Sequence, residues 1–290
     1  PATIGKLRNL HRLNAWECQL TSLPPEMGRL NRIEEINLGS NFLTTLPVEF
    51  GELKSLRKLK LDHNRFKELP LVICELTSLR HLDLTRNSIE DLPEKIARLT
   101  NLEELWLGDN PWRKLPRSIL NLPALRKLQL DNTPCIANDV LTFPFNKLSS
   151  FSEFAAYNSA IEHLPPSFLE CPMTSLVLSA KKVSLPDCIP AWQNMDTLAL
   201  QSCGLTEVPA AIAKMKSLRH LNLANNSIEK VPEFIGNLSS LETLNLGCNP
   251  LVCLPDSMKS LKCLQSLNLQ RTPLQKLPRC LAELPSLKVV

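Results

Sequence analysis

Histidine and cysteine are the first side chains of this sequence to consider as zinc ligands or as catalytic groups. The five histidines are scattered, and the ten cysteines contain no CxxC pair, so neither residue type has the spacing of a zinc site. The chain also lacks an HExxH motif, a GxSxG motif and a glycine-rich loop ahead of GK[ST]. We therefore predict that these 290 residues are not an enzyme and hold no metal or other cofactor.

The composition gives no sign of a nucleic-acid or membrane partner. The formal net charge is only +4, and the basic residues are not clustered along the chain. No apolar stretch approaches the roughly 18 residues that a membrane helix needs. We expect protein partners, without nucleic acid, membrane insertion or a small-molecule substrate.

A short sequence repeat must position whichever side chains act. Leu30, Leu53 and Leu76 are evenly spaced by one 23-residue period, as are leucines later in the chain. One period has the pattern LxxLxxLxLxxNxLxxLPxxIxxL, which residues 53–76 match throughout. A fixed period of this length predicts a solenoid, in which each repeat buries its apolar side against its neighbours.

Each period combines two local patterns. The alternation in Leu59-x-Leu61 predicts a short β-strand with one face in the core and the other outward. The later spacing of three or four, from Leu69 to Leu76, predicts a 3₁₀ or short α turn on the opposite wall. An asparagine follows the strand in six repeats, where its amide can satisfy backbone groups of the next turn. These residues are Asn41, Asn64, Asn87, Asn110, Asn226 and Asn249.

The LPxxIxxL signature resembles the intracellular class of leucine-rich repeats. That class includes the Scribble-type polarity scaffolds, the plant intracellular Ras-group proteins and several bacterial effectors that act inside host cells. The resemblance covers essentially the whole chain. It implies an α/β solenoid, a horseshoe of about 12 repeats with a concave parallel β-sheet and short 3₁₀ or α turns on the convex side. It also implies a protein partner on the concave face.

The repeat is not equally regular throughout. We predict a single leucine-rich-repeat domain over residues 1–290, regular over 7–133, irregular over 134–191 and regular again over 192–290. Lys181 stands where asparagine is expected, and lysine accepts no hydrogen bonds, so the asparagine ladder must be rearranged or lose roughly 1–3 kcal/mol. The irregular segment is either a drifted repeat or a loop that contacts a ligand. Because the chain begins and ends inside a repeat, we expect an excerpt of a longer protein.

The ten cysteines are predicted to be reduced and structural. Several fall where the repeat takes a small buried residue, and buried free cysteine behaves as a small hydrophobe. The chain also lacks the cysteine-rich caps usual in extracellular relatives. Because disulfides are rare in the cytosol, these observations favour a cytoplasmic location.

A longer period, spanning several repeats, relates the two halves of the chain. Residues 78–90 are matched by 217–229, and Asn110 is matched by Asn249 at the same offset. The agreement extends to positions that the core does not dictate, such as His81 and His220. We infer that a three-repeat block was duplicated; the alternative is convergence on the consensus.

Outward-facing strand positions are free to carry a binding site. Up to residue 131 they mix both signs of charge with tryptophans that we expect to point into solvent, whereas from Ala199 onward they are mostly asparagine, glutamine, serine and threonine. Tryptophan and arginine are enriched at interface hot spots. The predicted protein-binding patch is centred on Trp106 and comprises Trp16, Lys58, Lys60, Asp62, His81, Asp83, Arg86, Glu104, Trp106, Asp109 and Lys127. The alternative is that Trp106 merely covers its neighbours and that pairs such as Lys60 and Asp83 are only cross-strand neighbours.

Two functions are compatible with such a face. One is an interaction scaffold in intracellular signalling. The other is the substrate-recognition arm of a multidomain enzyme or pathogen effector, such as a ubiquitin ligase or kinase, whose catalytic domain lies outside this chain. Both predict binding on the concave face, so these residues do not separate them.

Overall fold

The computed structural model describes residues 2–276 and 279–290, apart from the side chains of Cys135 and Cys280. The chain forms two compact units. Unit 1 consists of Pro1–Asp139 and Pro144–Phe151, and unit 2 consists of Val140–Phe143 and Ser152–Val290.

Unit 1 contains six short parallel strands, which follow one another in the sheet in chain order. Neighbouring strands pair residue for residue at the interval of one repeat, so that Lys60 lies beside Asp83 and Asp83 beside Trp106. The strands are β1 (Arg12–Asn14), β2 (Glu35–Asn37), β3 (Lys58–Lys60), β4 (His81–Asp83), β5 (Glu104–Trp106) and β6 (Lys127–Gln129).

Unit 2 contains six further parallel strands, again in chain order. They are β7 (Glu153–Ile161), β8 (Ser175–Ala180), β9 (Thr197–Leu200), β10 (His220–Asn222), β11 (Thr243–Asn245) and β12 (Ser266–Asn268). The predicted solenoid of parallel strands, about twelve repeats long, is confirmed.

Short 3₁₀ helices form the opposite wall of each repeat, as the LPxxIxxL pattern predicts. Proline precedes or begins most of them, because the first turn of a helix needs no N–H from that residue and proline already has a suitable φ. Their bounds are Ala2–Lys6, Pro25–Arg29, Val48–Glu52, Leu71–Glu75, Glu94–Arg98, Arg117–Asn121, Pro134–Ile136, Phe145–Lys147, Pro166–Glu170, Pro190–Trp192, Ala210–Lys214, Glu233–Asn237, Asp256–Ser260 and Arg279–Glu283. One α-helix, α1, spans Ala137–Thr142.

The leucine columns form the core, as predicted. Leu59, Leu82 and Leu105 on adjacent strands are fully buried. Burial of each such side chain contributes on the order of 1.5–3 kcal/mol to stability. Trp112 and Trp192, which replace consensus leucines, are also buried, and their indole N–H groups donate to the carbonyl oxygens of Leu107 and Phe168.

The asparagine ladder is present. The Nδ2 atom of Asn110 donates to the carbonyl oxygens of Leu84 and Leu107 at 2.9 and 3.1 Å, while its Oδ1 accepts the N–H of Ile89 at 3.1 Å. Asn110 itself is buried. Each asparagine of this kind therefore joins consecutive repeats through backbone groups that would otherwise be buried without partners.

The rearrangement expected at Lys181 takes the form of longer strands. β7 and β8 have nine and six residues, where most strands have three. The backbone N–H groups of Lys181 and Lys182 donate directly to the carbonyl oxygens of Ile161 and Glu162 at 3.1 and 3.2 Å. The Lys181 side chain points outward and donates to Glu162 at 2.9 Å. Backbone pairing thus joins the two repeats at the point where the asparagine is missing.

The cysteine prediction holds only in part. The eight cysteines whose side chains are described are free thiols; Cys135 and Cys280 lie outside that set. Cys74, Cys171 and Cys203 are buried, and burial raises the pKa of each thiol to about 11, so they are protonated core residues. By contrast, four side chains are exposed because they fall outside the inward columns, and a structural role in the core is wrong for them. These are Cys18, Cys188, Cys253 and Cys263.

Candidate functional site

The outward side of the strands in unit 1 is here called the unit-1 face. Its three columns are the first residue of each strand, the third residue, and the residue two positions later. The first column is Arg12, Glu35, Lys58, His81, Glu104 and Lys127. The middle column is Asn14, Asn37, Lys60, Asp83, Trp106 and Gln129. The last column is Trp16, Gly39, Asp62, Thr85, Gly108 and Asp131.

Trp106 lies at the centre of the charged part of this face. Its ring centroid is 5.5 Å from that of His81 on β4, and the Nζ atom of Lys127 on β6 lies 5.1 Å from the ring centroid. The expectation that Trp106 points into solvent is therefore only partly correct, because these long neighbours leave it half-buried. Trp16, on the first repeat, is 49% exposed as expected.

His81 and Glu104 form a hydrogen-bonded pair beside Trp106. His81 Nδ1 lies 3.0 Å from Glu104 Oε2, and Arg126 Nη2 donates to Glu104 Oε1 at 3.2 Å. Burial lowers the pKa of His81 below its ordinary value, although Glu104 acts against this shift. Burial would raise the pKa of Glu104, but the hydrogen bond with His81 and the nearby positive charges outweigh it and lower that pKa.

Asp83 is a buried carboxylate on this outward face. It is only 6% exposed, and its Oδ1 atom accepts the backbone N–H of Thr85 at 3.0 Å. Burial raises the pKa of Asp83, despite that hydrogen bond. Lys60 is its register neighbour on the adjacent strand, and the described residues contain no ion pair between the two side chains. Asparagine makes the same turn bond in other repeats, including Asn37 with Gly39 at 3.1 Å.

Two buried polar atoms at the contact between Trp106 and His81 have no hydrogen-bond partner among the described residues. They are Trp106 Nε1 and His81 Nε2. An unpaired buried polar atom costs about 1–3 kcal/mol, so native proteins contain few of them. Their concentration on two neighbouring strands marks a region that is not arranged for stability alone.

A chain of polar contacts runs along the loop edge of the unit-1 face. His63 Nδ1 lies 3.0 Å from Asp62 Oδ2, and Arg86 Nη1 lies 2.9 Å from His63 Nε2. Because arginine only donates, His63 Nε2 is the acceptor of the bond from Arg86. The ring proton is therefore on Nδ1, which donates a hydrogen bond to Asp62. Arg86 also lies 3.5 Å from Asp109 Oδ2, and Asn132 donates to Asp109 Oδ1 at 2.9 Å.

Four members of this edge have left-handed backbone conformations, but this is a property of the repeat. The φ angles of Arg86 and Asp109 are both 54°. The equivalent residues of unit 2, Asn225 and Cys248, have φ angles of 55° and 54°. The conformation thus recurs at positions where the described residues of unit 2 form no charged network, so it belongs to the turn and not to a specialised site.

The structure gathers most of the predicted patch and adds to it. Four consecutive strands, β3 to β6, carry seven of the predicted residues: Lys58, Lys60, His81, Asp83, Glu104, Trp106 and Lys127. The loops that follow these strands carry three more: Asp62, Arg86 and Asp109. Trp16 lies apart from this group, on the repeat of β1. The sequence interpretation missed Arg126, His63 and Asn132. The last two could have been found, since each is one repeat away from Arg86 or Asp109.

The corresponding side of unit 2, the unit-2 face, is neutral from β9 onward. His220 Nδ1 lies 2.9 Å from the hydroxyl oxygen of Thr243, where His81 meets a carboxylate. Asn222 and Asn245 accept the backbone N–H groups two residues later, at 3.0 and 3.1 Å. Asn268 makes the same bond with Gln270 at 2.9 Å. The scaffold is repeated, but the charged and aromatic groups are not.

The structure offers neither a metal site nor a membrane span among the residues that it describes. Within residues 2–276 and 279–290, no three histidine, cysteine or acidic side chains are grouped to hold a metal ion. Over the same residues, no helix combines the length and the apolar character needed to cross a membrane.

Comparison with known proteins identifies the repeats. A model of the family described as leucine rich repeat matches residues 8–66, 77–134 and 193–251, and a model for two copies of the repeat matches residues 54–94. The chain belongs to the leucine-rich-repeat family. Its fold is an open leucine-rich-repeat solenoid.

Solved structures agree with this assignment. A leucine-rich-repeat protein of Leptospira interrogans is 30% identical with a TM-score of 0.81, over 100% of this chain and 74% of that one. An internalin of Listeria monocytogenes is 22% identical with a TM-score of 0.71, over 98% and 87% of the two chains. The ectodomain of the Arabidopsis thaliana receptor kinase GASSHO1/SCHENGEN3, in complex with CASPARIAN STRIP INTEGRITY FACTOR 2, is 23% identical with a TM-score of 0.60, over 100% and 42%. A comparison with curated sequences gave no match.

Family membership points to a protein-interaction module. Stacked repeats present an extended strand surface to a partner, and such folds are generally binding scaffolds without catalytic activity of their own.

Proposed function

We propose that this chain is a non-catalytic interaction module that holds a partner protein on the unit-1 face. The observation that carries the proposal is the contrast between equivalent positions. Trp106, Asp83 and Glu104 in unit 1 correspond to Asn245, Asn222 and Thr243 in unit 2, at the same offset that relates His81 to His220. A repeated scaffold that concentrates charge and an indole ring on one face supports a specific partner there.

Trp106 is the proposed anchor of this interaction. Its ring contacts His81 and Lys127 from the two neighbouring strands, so it is held in place before a partner arrives. Tryptophan supplies a large contact area, and an ordered side chain loses less conformational entropy on binding. The competing hypothesis, that Trp106 only covers its neighbours, predicts that its removal lowers stability and leaves binding unchanged.

The finer assignment is a cytoplasmic signalling scaffold of the 23-residue LPxxIxxL class. It is supported by the repeat pattern and by the free thiols among the described cysteines. A recognition arm of a ubiquitin ligase or kinase would use the same face. Modification of the bound partner by the full-length protein would favour that second function.

Affinity capture from cell extract with matched variants tests the proposal. Trp106→Ala is compared with Asn245→Ala, the equivalent change on the unit-2 face, after circular dichroism has shown that both variants fold. We expect the native chain and Asn245→Ala to retain a protein that Trp106→Ala loses. Retention of the same proteins by all three chains would contradict binding through Trp106.

A further inference from the structure

The strands β1–β3 enclose a shallow depression of about 260 Å³ at one end of the unit-1 face. Its lining includes Arg12, Asn14, Glu35, Asn37, Lys58 and Lys60. These residues form two register rows, in which Lys58 follows Arg12 and Glu35, and Lys60 follows the two asparagines.

The free hydrogen-bonding groups of the depression are mainly donors. Asn14 and Asn37 use their Oδ1 atoms to accept the backbone N–H groups of Trp16 and Gly39 at 3.2 and 3.1 Å. This leaves their amide NH₂ groups without an acceptor among the described residues. Lys58 and Lys60 likewise make no hydrogen bond or ion pair within the part of the chain that the structure describes. The depression therefore offers donors that require an acceptor from outside.

Its net charge is positive. Glu35 is the single carboxylate among the lining residues, and Arg12 Nε lies 3.5 Å from its Oε2 atom. Two further carboxylates border Lys60 but are engaged elsewhere, because Asp62 faces His63 and Asp83 accepts the N–H of Thr85. Lys58 and Lys60 thus carry positive charges that are not ion-paired within the part of the chain that the structure describes.

We propose that this depression binds a carboxylate side chain from an acidic segment of the partner protein. A carboxylate accepts several hydrogen bonds at once, and charge-assisted bonds from lysine are stronger than neutral ones. The inference names the chemistry of the partner and rests on the proposed function of the unit-1 face. An acidic residue here, together with an anchor at Trp106, would fix the partner along the row of strands.

The test is fluorescence anisotropy of a labelled hexaglutamate peptide, with a hexaglutamine peptide as control, titrated with the whole chain. We expect saturable binding of the glutamate peptide only. Lys58→Gln with Lys60→Gln should weaken it at least about tenfold, since two charged donors are lost. The matched control, Lys67→Gln with Lys114→Gln, has the same net charge and should bind as the native chain does.

Asn37→Asp is the sharper variant. It keeps an oxygen for the Gly39 N–H, as Asp83 does for Thr85, but replaces the outward NH₂ with a carboxylate. We expect it to fold and to lose the peptide. The proposal is overturned if the peptide does not bind saturably, or if both lysine pairs weaken it equally. Trp106→Ala should leave peptide binding unchanged, so a failure of the capture experiment is distinguishable from a failure here.

Discussion

Equivalent positions of the two units differ in what they present outward and agree in what they bury. Asn110 and Asn249 make the same ladder, with donor distances of 2.9 Å to the carbonyl oxygens of Leu84 and Leu223. Outward, His81 meets a carboxylate and an indole ring, whereas His220 meets a hydroxyl group. The buried columns maintain the solenoid, and the outward columns are left to determine what binds.

The largest expected effect is on stability, and it tests whether the asparagine ladders of the two units contribute equally to it. Asn110→Ala and Asn249→Ala should each lower the free energy of unfolding by about 3 kcal/mol, because several buried backbone groups lose their partners at once. Urea denaturation monitored by circular dichroism measures both. A cost below about 1 kcal/mol in one of them would show that the two ladders are not equivalent.

The second prediction concerns the faces. With the captured partner purified, Trp106→Ala should weaken binding by at least about 2 kcal/mol, or roughly 30-fold, as expected for a hot-spot residue. Asn245→Ala should change it by less than about 0.5 kcal/mol. Isothermal titration calorimetry gives both values, and equal losses would remove the distinction between the faces.

A third prediction replaces a residue of unit 1 with its counterpart from unit 2. Asp83→Asn keeps the bond to the Thr85 N–H, as Asn222 does with Ala224, and removes a buried charge. We expect the free energy of unfolding to rise by about 1 kcal/mol at neutral pH, within the range of such single stabilising changes.

The stability difference between Asp83→Asn and the native chain should depend on pH in a defined direction. Burial raises the pKa of Asp83 above its ordinary value of 3.8, so the protonated form favours the folded chain. The contribution of the native carboxyl is fully present below pH 3.8 and is lost as the pH rises through the folded-state pKa. Urea denaturation across this range should therefore show the advantage of Asp83→Asn growing with pH. An advantage that shrinks as the pH rises would contradict the account.

The smallest expected effect is at the loop edge. Arg86→Asn introduces the residue of unit 2, Asn225, and removes the contacts with His63 and Asp109. Because Arg86 is exposed, we expect a loss of at most about 0.5 kcal/mol. Thermal denaturation of the variant measures it, and a loss of several times that size would mean that the edge network supports the fold.

Periodicity predicted the strands and the asparagine ladder because both depend on columns that recur once in every repeat. It also placed Trp106 and Asp83 on the outward face. It could not predict that Trp106 is half-buried and Asp83 almost fully buried. The exposure of each side chain depends on how the side chains of adjacent repeats pack across the face. The sequence likewise did not predict the longer strands β7 and β8 near Lys181, since a missing asparagine does not indicate how the backbone will pair in its place.

Site-specific photo-crosslinking tests most directly whether the partner lies on the unit-1 face. A benzoylphenylalanine probe replaces Lys60, or its counterpart Ala199 on the unit-2 face. The first change removes one lysine of the depression but leaves Lys58 and Trp106 in place, so we expect the partner to bind more weakly and still to be captured. After irradiation in cell extract, we predict that the probe at position 60 forms a covalent adduct with the captured partner and that the probe at 199 does not. An adduct at 199, or equal adducts at both positions, would contradict the central claim.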